Sequence, residues 1–191
     1  MEKIISLYAR NYDGDRLVRD EVVPGAEWVA EGEGTPTRKI DGTCCMMRDM
    51  FLFKRYDAKK GKTPPPDFEP AQPDPDPITG HWPGWVPVRG DNPADRYHIE
   101  ALNNWGEMAP TRPMEDGTYE LVGPKIQGNP EKFDHHWLIS HNCPTLLLYA
   151  VPVDFEGIKK FLSECDIEGV VWHHPDGRMV KIKKKDFFGK R

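Results

Sequence analysis

The sequence lacks several features that define common protein classes. No apolar run approaches the roughly 18 residues of a membrane span, and the N-terminus shows no long apolar segment typical of a secretory signal. The four cysteines include no C-x-x-C pair, which argues against a disulfide framework and against a four-cysteine zinc site. These absences predict a cytoplasmic protein with no membrane segment.

An excess of positive charge is also lacking. The formal net charge is −5 over 191 residues, which argues against a protein that coats nucleic acid indiscriminately. Residues 178–191 nevertheless carry seven Lys or Arg and one acid, Asp186, so this segment has a charge of 7 − 1 = +6. We therefore expect a local site for an anion rather than a basic surface over the whole protein.

The residue pattern predicts an α+β fold in which antiparallel sheet dominates. Apolar and alternating runs predict strands at 43–47, 50–53, 118–122, 145–153, 167–173 and 178–183. Helical spacing predicts short helices at 97–105 and 157–165. The turn sequence Pro175-Asp176-Gly177 joins the last two strands into a hairpin.

A proline-rich segment interrupts this pattern at about 57–98. Ten of the 19 prolines lie between Pro64 and Pro93. Because proline lacks a backbone donor and has a fixed φ, we expect no regular strand or helix here, but an ordered loop, a lid or an insertion. Packing of Trp82 and Trp85 onto the core is favoured over stacking on a nucleic-acid base.

The first segment with chemical potential is Lys39-Ile40-Asp41-Gly42. A lysine placed in this way can be the covalent nucleophile of a nucleotidyl transferase, attacking the α-phosphate of a nucleoside triphosphate. The tetrapeptide is common by chance, so its interpretation depends on whether later segments of the chain supply the other groups that this chemistry needs.

The predicted hairpin at the C-terminal end carries charged residues on its strands. Lys181 and Lys183 share one face of their strand, and two adjacent ammonium groups repel each other unless an anion lies between them. Strict alternation places Glu168 on the face of Val170 and Trp172, where a carboxylate could hold a divalent metal against the same anion. The alternative for the lysines is a solvated strand edge that blocks aggregation.

Two further groups of polar residues allow more than one interpretation. Glu120 interrupts the apolar strand that follows Asp116-Gly117, so it is either a solvent-facing residue or a ligand for a ribose hydroxyl or a metal-bound water. The histidines lie in two short segments, but their spacing fits no standard zinc motif, and we predict surface or packing roles for them. The residues concerned are His135, His136, His141, His173 and His174, with Cys143 nearby.

The order of these segments resembles the covalent nucleotidyltransferase superfamily, which contains ATP-dependent DNA ligases, RNA ligases and mRNA capping enzymes. The matching positions are Lys39-x-Asp41-Gly42, Arg55, Glu120, Glu168-Gly169 and Lys181-x-Lys183. Within the superfamily, the sequence resembles a small RNA ligase family found in vertebrates and other lineages, over about residues 25–187. The stretches that carry this resemblance are 39–45, 80–85 and 119–123.

This resemblance implies a single nucleotidyltransferase domain of the ligase type over 1–191. Because this chain stops eight residues past Lys183, where DNA ligases and capping enzymes usually carry an OB-fold, we expect no appended OB-fold. Lys39 would be the nucleophile, and neighbouring cations would lower its pKa so that the neutral amine can attack. Glu168 and Glu120 would be metal ligands, for Mg²⁺ or Mn²⁺. The other residues implied in nucleotide binding are Arg38, Asp41, Gly42, Arg55, Glu120, Lys181 and Lys183.

The activity implied is ATP-dependent sealing of RNA 5′-phosphate and 3′-hydroxyl ends by a monomer. It would proceed through a lysyl-AMP intermediate and an AMP-RNA intermediate. A GTP-dependent guanylyltransferase or a DNA ligase is the alternative enzyme. A module that binds nucleotides or RNA ends without catalysis is the alternative of another class.

Overall fold

The computed structural model describes residues 3–77 and 79–189, so Lys190 and Arg191 of the basic segment lie outside the described residues. The chain divides into two compact units. The first contains Lys3 and residues 41–143, and the second contains residues 4–40 and the chain from residue 144 onward. The division falls between Ile40 and Asp41, within the predicted nucleophile motif.

The described residues form twelve strands and four α-helices, numbered here in chain order. The strands are β1 (Ile5–Ser6), β2 (Tyr8–Arg10), β3 (Val18–Val22), β4 (Thr35–Lys39), β5 (Thr43–Arg48), β6 (Phe51–Ala58), β7 (Glu69–Pro70), β8 (Trp82–Pro87), β9 (Gly117–Val122), β10 (Trp137–Ser140), β11 (Gly169–His173) and β12 (Met179–Lys183). The helices are α1 (Glu27–Ala30), α2 (Arg96–Met108), α3 (Phe155–Glu164) and α4 (Lys184–Phe188).

The first unit is built on an antiparallel sheet with the strand order β10-β9-β5-β6-β8-β7. One face of the central strands is apolar and packs around Ala101 of α2. The other buried residues of this hydrophobic core include Cys45, Met47, Leu52, Tyr119, Leu121 and Leu138. Because side chains alternate along a strand, the neighbouring positions of β5 and β9 lie on the opposite face, and these include Glu120.

Part of the proline-rich segment is a regular strand, so the prediction that prolines exclude one throughout 57–98 is wrong. Strand β8 pairs with all of Phe53–Ala58 in β6. The carbonyl of Pro83 accepts a hydrogen bond from Ala71 N–H at 2.9 Å. In an antiparallel strand, the nitrogen and carbonyl of one residue face the same neighbouring strand. The nitrogen of Pro83, which has no hydrogen to donate, therefore faces the two-residue edge strand β7, and proline is tolerated at such an edge.

The second unit contains a four-stranded sheet with the order β1-β12-β11-β4 and a separate β2–β3 pair. Only β1 and β12 run parallel; the other neighbours are antiparallel. One face of this sheet contributes Val170, Trp172, Val180 and Ile182 to a core. Helix α3 supplies Ile158 and Leu162, both fully buried, which explains its apolar stripe.

The prediction of an α+β fold rich in antiparallel sheet is confirmed. The strands predicted at 43–47 and 50–53, the C-terminal hairpin and the helices near 97–105 and 157–165 are present. The strand predicted at 145–153 is wrong, because the chain forms a 3₁₀ turn at Pro144–Leu146 and an irregular segment. Its apolar pattern arises because Leu146 is buried and Leu148 packs against the core, while one bridge joins Leu147 to Thr37.

Among the described residues, no helix combines the length and apolar character needed to traverse a lipid bilayer.

Candidate active site

A row of three residues crosses the sheet of the second unit. Gly169 on β11 lies directly opposite Lys39 on β4 and Lys183 on β12. Residues directly opposite each other project from the same face of a sheet, so both lysines lie on the face away from the core. The fold therefore brings together two lysines that are 144 positions apart in the sequence.

The glycine in the middle of this row is required by the close packing around it. A Cβ atom at Gly169 would lie 2.1 Å from the carbonyl oxygen of Ile182 and 2.9 Å from Cα of Lys183. Both are backbone atoms, which cannot move aside without shifting β12. Any larger residue at 169 would therefore displace the strand that carries Lys183.

Glu168 contacts both lysines of the row. Its Oε2 lies 2.6 Å from Nζ of Lys39, and its Oε1 lies 2.5 Å from Nζ of Lys183. The side chain is only 10% exposed. The prediction that Glu168 shares the face of Val170 and Trp172 is thus wrong, because β11 begins at Gly169 and the preceding bend is not bound by strand alternation.

The charges around Glu168 determine its ionisation. Burial alone would raise the pKa of the Glu168 carboxyl, but the ammonium groups of Lys39 and Lys183 outweigh this, and the pKa is lowered. The sequence predicts a cationic environment for Lys39, whereas the structure shows a carboxylate against its amine. Lys39 also donates to the carbonyl of Ile40 at 3.3 Å.

Helix α4 anchors the end of the hairpin that carries this cluster. Lys184 N–H donates to the carbonyl of Glu168 at 2.7 Å, and Lys183 N–H donates to Oδ2 of Asp186 at 2.9 Å. Asp186 is 3% exposed and also forms an ion pair with Arg10. The sequence prediction assigned no role to Asp186, although it is the one acid in a basic segment and stands in the first turn of a helix, where acids are favourable.

The two remaining basic candidates of this unit occupy different faces. Lys181 lies opposite Val171 of β11, so it shares the face of Lys183, as the two-residue spacing predicts. Arg38 lies opposite Val170, and strand alternation therefore places it on the other face from Lys39. The structure brings Lys39, Glu168 and Lys183 into direct contact.

In the first unit, Glu120 is buried on the face of β9 away from the apolar core, with its side chain 9% exposed. Its Oε2 lies 3.0 Å from Nε2 of His141. The other ring nitrogen of His141 lies 2.9 Å from Oγ1 of Thr118, which is on the same face of β9. Sequence reasoning named no specific partner for Glu120, because His141 lies 21 residues away in an irregular segment.

Gly42 lies against the backbone of β9 in the first unit. A Cβ atom at Gly42 would be 2.2 Å from the carbonyl oxygen of Leu121 and 2.9 Å from Cγ of Glu120. Asp41 N–H donates to Oε1 of Glu131 at 3.0 Å. The close approach gives a steric reason for glycine at 42, next to one of the predicted carboxylates.

Arg55 belongs to the first unit and contacts an aromatic ring. Its guanidinium carbon lies 5.3 Å from the ring centroid of Trp85, and its Nε lies 3.3 Å from Oδ1 of Asp57. Trp85 is 3% exposed. The prediction that this tryptophan packs onto the protein is confirmed.

Comparison with known proteins finds RNA ligases with similar sequences. A family model described as RNA ligase 1 matches residues 106–190, a range that contains Glu120, Glu168 and Lys183. An RNA ligase 1 from Pongo abelii is 30% identical over 78% of this chain and 66% of its own length. These matches support an RNA ligase family for this chain.

Two other RNA ligase 1 proteins show a similar level of sequence identity to this chain. The RNA ligase 1 proteins of Danio rerio and Rattus norvegicus are each 27% identical, over 78% of this chain and 65% of their own length. The chain therefore spans about 65% of the length of these relatives. The family model does not cover Lys39, which contacts Glu168, a residue within the matched range.

The acidic residues of the chain supply few metal ligands in one place. Within residues 3–77 and 79–189, no group of three or more His, Cys, Asp or Glu side chains is arranged to hold a metal ion. Mg²⁺ commonly uses only one or two carboxylates and takes its remaining ligands from water and substrate phosphates. The single carboxylate of Glu168 fits that second kind of site.

Proposed function

We propose that this chain is an ATP-dependent RNA ligase that joins a 5′-phosphate to a 3′-hydroxyl through a covalent adenylate on Lys39. The observation that supports this most directly is the contact of Lys39 with Glu168, which also contacts Lys183. Similarity to RNA ligase 1 proteins supports the class of reaction. ATP as donor and the lysyl-AMP intermediate are part of the proposal.

In the first step, the neutral amine of Lys39 attacks the α-phosphorus of ATP. A P–N bond forms, the bond between the α-phosphorus and the bridging oxygen breaks, and pyrophosphate leaves. The amine loses one proton in becoming neutral and a second as the P–N bond forms. Glu168 contacts this amine and is a carboxylate at neutral pH, as its lowered pKa is consistent with, so it is positioned to accept a proton.

The same cluster suits the charge that develops during the step. The ammonium group of Lys183 would move from the Glu168 carboxylate toward the phosphate. There it would offset negative charge on the phosphate oxygens. Lys181 shares its face and is proposed for the same anion. Mg²⁺, held by Glu168 together with phosphate oxygens and water, would supply further stabilisation of this charge.

The two later steps return the lysine to its starting state. In the second step, a 5′-phosphate oxygen of RNA attacks the phosphorus of the adenylate, the P–N bond breaks, and Lys39 regains its amine and a proton. In the third step, the 3′-hydroxyl attacks the activated 5′-phosphate, and AMP leaves as the new phosphodiester forms. Roles for Arg38, Asp41 and Arg55 in nucleotide or RNA binding remain predictions from the resemblance.

Transfer of label from nucleotide to protein tests the proposal. The purified chain is incubated with α-labelled ATP or GTP and Mg²⁺, and the label that survives denaturation is measured on a gel. We expect label from ATP in the wild type and none in Lys39→Ala. The matched control is Lys160→Ala, an exposed lysine of α3 in the same unit, which should label as the wild type does.

The other outcomes identify the alternatives. Label from GTP alone would favour a guanylyltransferase, and no label from either nucleotide would favour a binding module without catalysis. Persistent label in Lys39→Ala would refute the assigned nucleophile. If ATP labels Lys39, sealing of a nicked or single-stranded RNA, compared with the same DNA, then separates an RNA ligase from a DNA ligase.

A further inference from the structure

A chain of hydrogen bonds links three side chains on one face of the first unit. It runs from Oγ1 of Thr118 through both ring nitrogens of His141 to Oε2 of Glu120, with lengths of 2.9 and 3.0 Å. Thr118 and Glu120 are two residues apart on β9, so they lie on the same face. His141 therefore spans two successive positions of one strand face.

Backbone contacts hold His141 in this position. Its own N–H donates to the carbonyl of Thr118 at 3.1 Å, and the chain turns immediately afterwards, with Cys143 N–H donating to the carbonyl of Ser140 at 3.1 Å. Three hydrogen bonds to residues of β9 thus hold one histidine, which leaves the imidazole little freedom to rotate. Because Nε2 of His141 is hydrogen-bonded to Oε2 of Glu120, the fixed imidazole also restrains the orientation of the carboxylate.

A neutral imidazole satisfies this chain completely. The hydroxyl of Thr118 donates to Nδ1, and the N–H at Nε2 donates to the carboxylate, so every donor meets an acceptor. This leaves the second carboxylate oxygen of Glu120. His141 engages only Oε2, and Oε1 is not among the buried side-chain atoms without a partner in residues 3–77 and 79–189.

Hydrogen bonds to a charged acceptor are among the stronger ones, so this oxygen suits a ligand that supplies a donor. A ribose hydroxyl is such a donor, and a carboxylate held at its other oxygen presents a fixed acceptor to it. We propose that His141 is a positioning residue, which orients Glu120 to accept a hydrogen bond from a ribose hydroxyl of the adenine nucleotide. This inference rests on the proposed function for the identity of the nucleotide.

Binding of unreactive nucleotides tests the inference separately from catalysis. AMP, 2′-deoxy-AMP and 3′-deoxy-AMP lack the pyrophosphate leaving group and cannot adenylate a lysine, so their dissociation constants can be measured by calorimetry on the whole chain. For the wild type we expect one deoxy analogue to bind about 10-fold more weakly than AMP, which is the effect of a hydrogen bond to a charged group. The weaker analogue identifies the hydroxyl.

Variants at 141 separate positioning from general stability. In His141→Ala, the preference for AMP over that analogue should fall to within about 2-fold, mainly through weaker AMP binding. His141→Gln retains an amide donor near the position of Nε2 and should restore most of the preference. His135→Ala is the matched control, because His135 precedes β10 as His141 follows it, and its side chain is exposed.

The outcomes distinguish this inference from the proposed function. If His141→Ala weakens all three nucleotides equally, or leaves the preference unchanged, His141 has only a structural role and the inference is overturned. The same holds if the wild type shows no preference for AMP. If the preference depends on His141 but ATP leaves no label on Lys39, positioning stands and the ligase chemistry fails.

Discussion

Each unit contains a largely buried carboxylate against the face of a sheet away from the core, but the partners differ. In the second unit, Glu168 lies between the ammonium groups of Lys39 and Lys183. In the first unit, Glu120 is hydrogen-bonded to the imidazole of His141, whose other ring nitrogen is hydrogen-bonded to the hydroxyl of Thr118. Counting these side chains alone, the Glu168 cluster carries 2 − 1 = +1 and the Glu120 cluster carries −1. The Glu168 cluster therefore suits an anion such as a phosphate, and the Glu120 cluster suits a hydroxyl donor or a cation.

Replacing the two carboxylates one at a time should give the largest difference in the free energy of unfolding between the two clusters. Glu168→Gln removes the charge of the carboxylate that contacts two ammonium groups, and we expect the free energy of unfolding to fall by about 2–3 kcal/mol. Glu120→Gln keeps an amide oxygen that accepts from Nε2 of His141, and we expect a loss of about 1 kcal/mol. Urea denaturation, followed by tryptophan fluorescence, measures both.

The matched control for this comparison is Glu156→Gln, an exposed acid of α3, for which we expect a change within about 0.5 kcal/mol. Equal losses in Glu168→Gln and Glu120→Gln would contradict the view that ion pairing distinguishes the two clusters.

Two glycines test whether both sites depend equally on close packing. Gly42→Ala and Gly169→Ala each place a Cβ atom within 2.2 Å of a backbone carbonyl oxygen, and each should lower the free energy of unfolding by about 2 kcal/mol. Gly106→Ala is the control, since nothing lies within 4 Å of a Cβ atom there and the site is within α2. It should raise stability by about 0.5–1 kcal/mol. A neutral result at 42 or 169 would mean that the strands separate more easily than this packing implies.

The pH dependence of stability should differ between the units. We expect this effect to be smaller than those of the carboxylate and glycine substitutions. Burial lowers the pKa of His98 in the first unit from its ordinary 6.5; Asp95 opposes this and Lys54 adds to it. The unfolded chain then binds more protons than the folded chain, so stability is complete above about pH 6.5 and declines as the pH falls below it. Glu168 contributes stability above its ordinary 4.5, which is lost only as the pH falls through its lowered value.

Urea midpoints at pH values of about 7.5 and 5.5 therefore report on His98 but not on Glu168. We expect the wild type to be less stable at the lower pH, and His98→Gln to reduce that difference. A wild type that is equally stable at both pH values would contradict the lowered pKa of His98.

Local pattern was sufficient for the elements that lie close together in sequence. The hairpin of β11 and β12 was predictable because Pro175-Asp176-Gly177 favours a tight turn between two alternating runs. Strand β4 was missed because its sequence, Thr-Pro-Thr-Arg-Lys, has no apolar alternation. It is a strand because β11 supplies its hydrogen bonds over five successive residue pairs.

Sequence pattern alone indicated the residue types proposed for the chemistry. A lysine before Asp-Gly, an isolated glutamate in an apolar strand and two lysines on one strand face are visible without a structure. The partners of these residues became clear only in the folded chain. Glu168 reaches Lys39 across 129 residues, and His141 reaches Glu120 across 21. Such contacts depend on strand register and on bends at strand ends, where the two-residue alternation that guides sequence interpretation no longer applies.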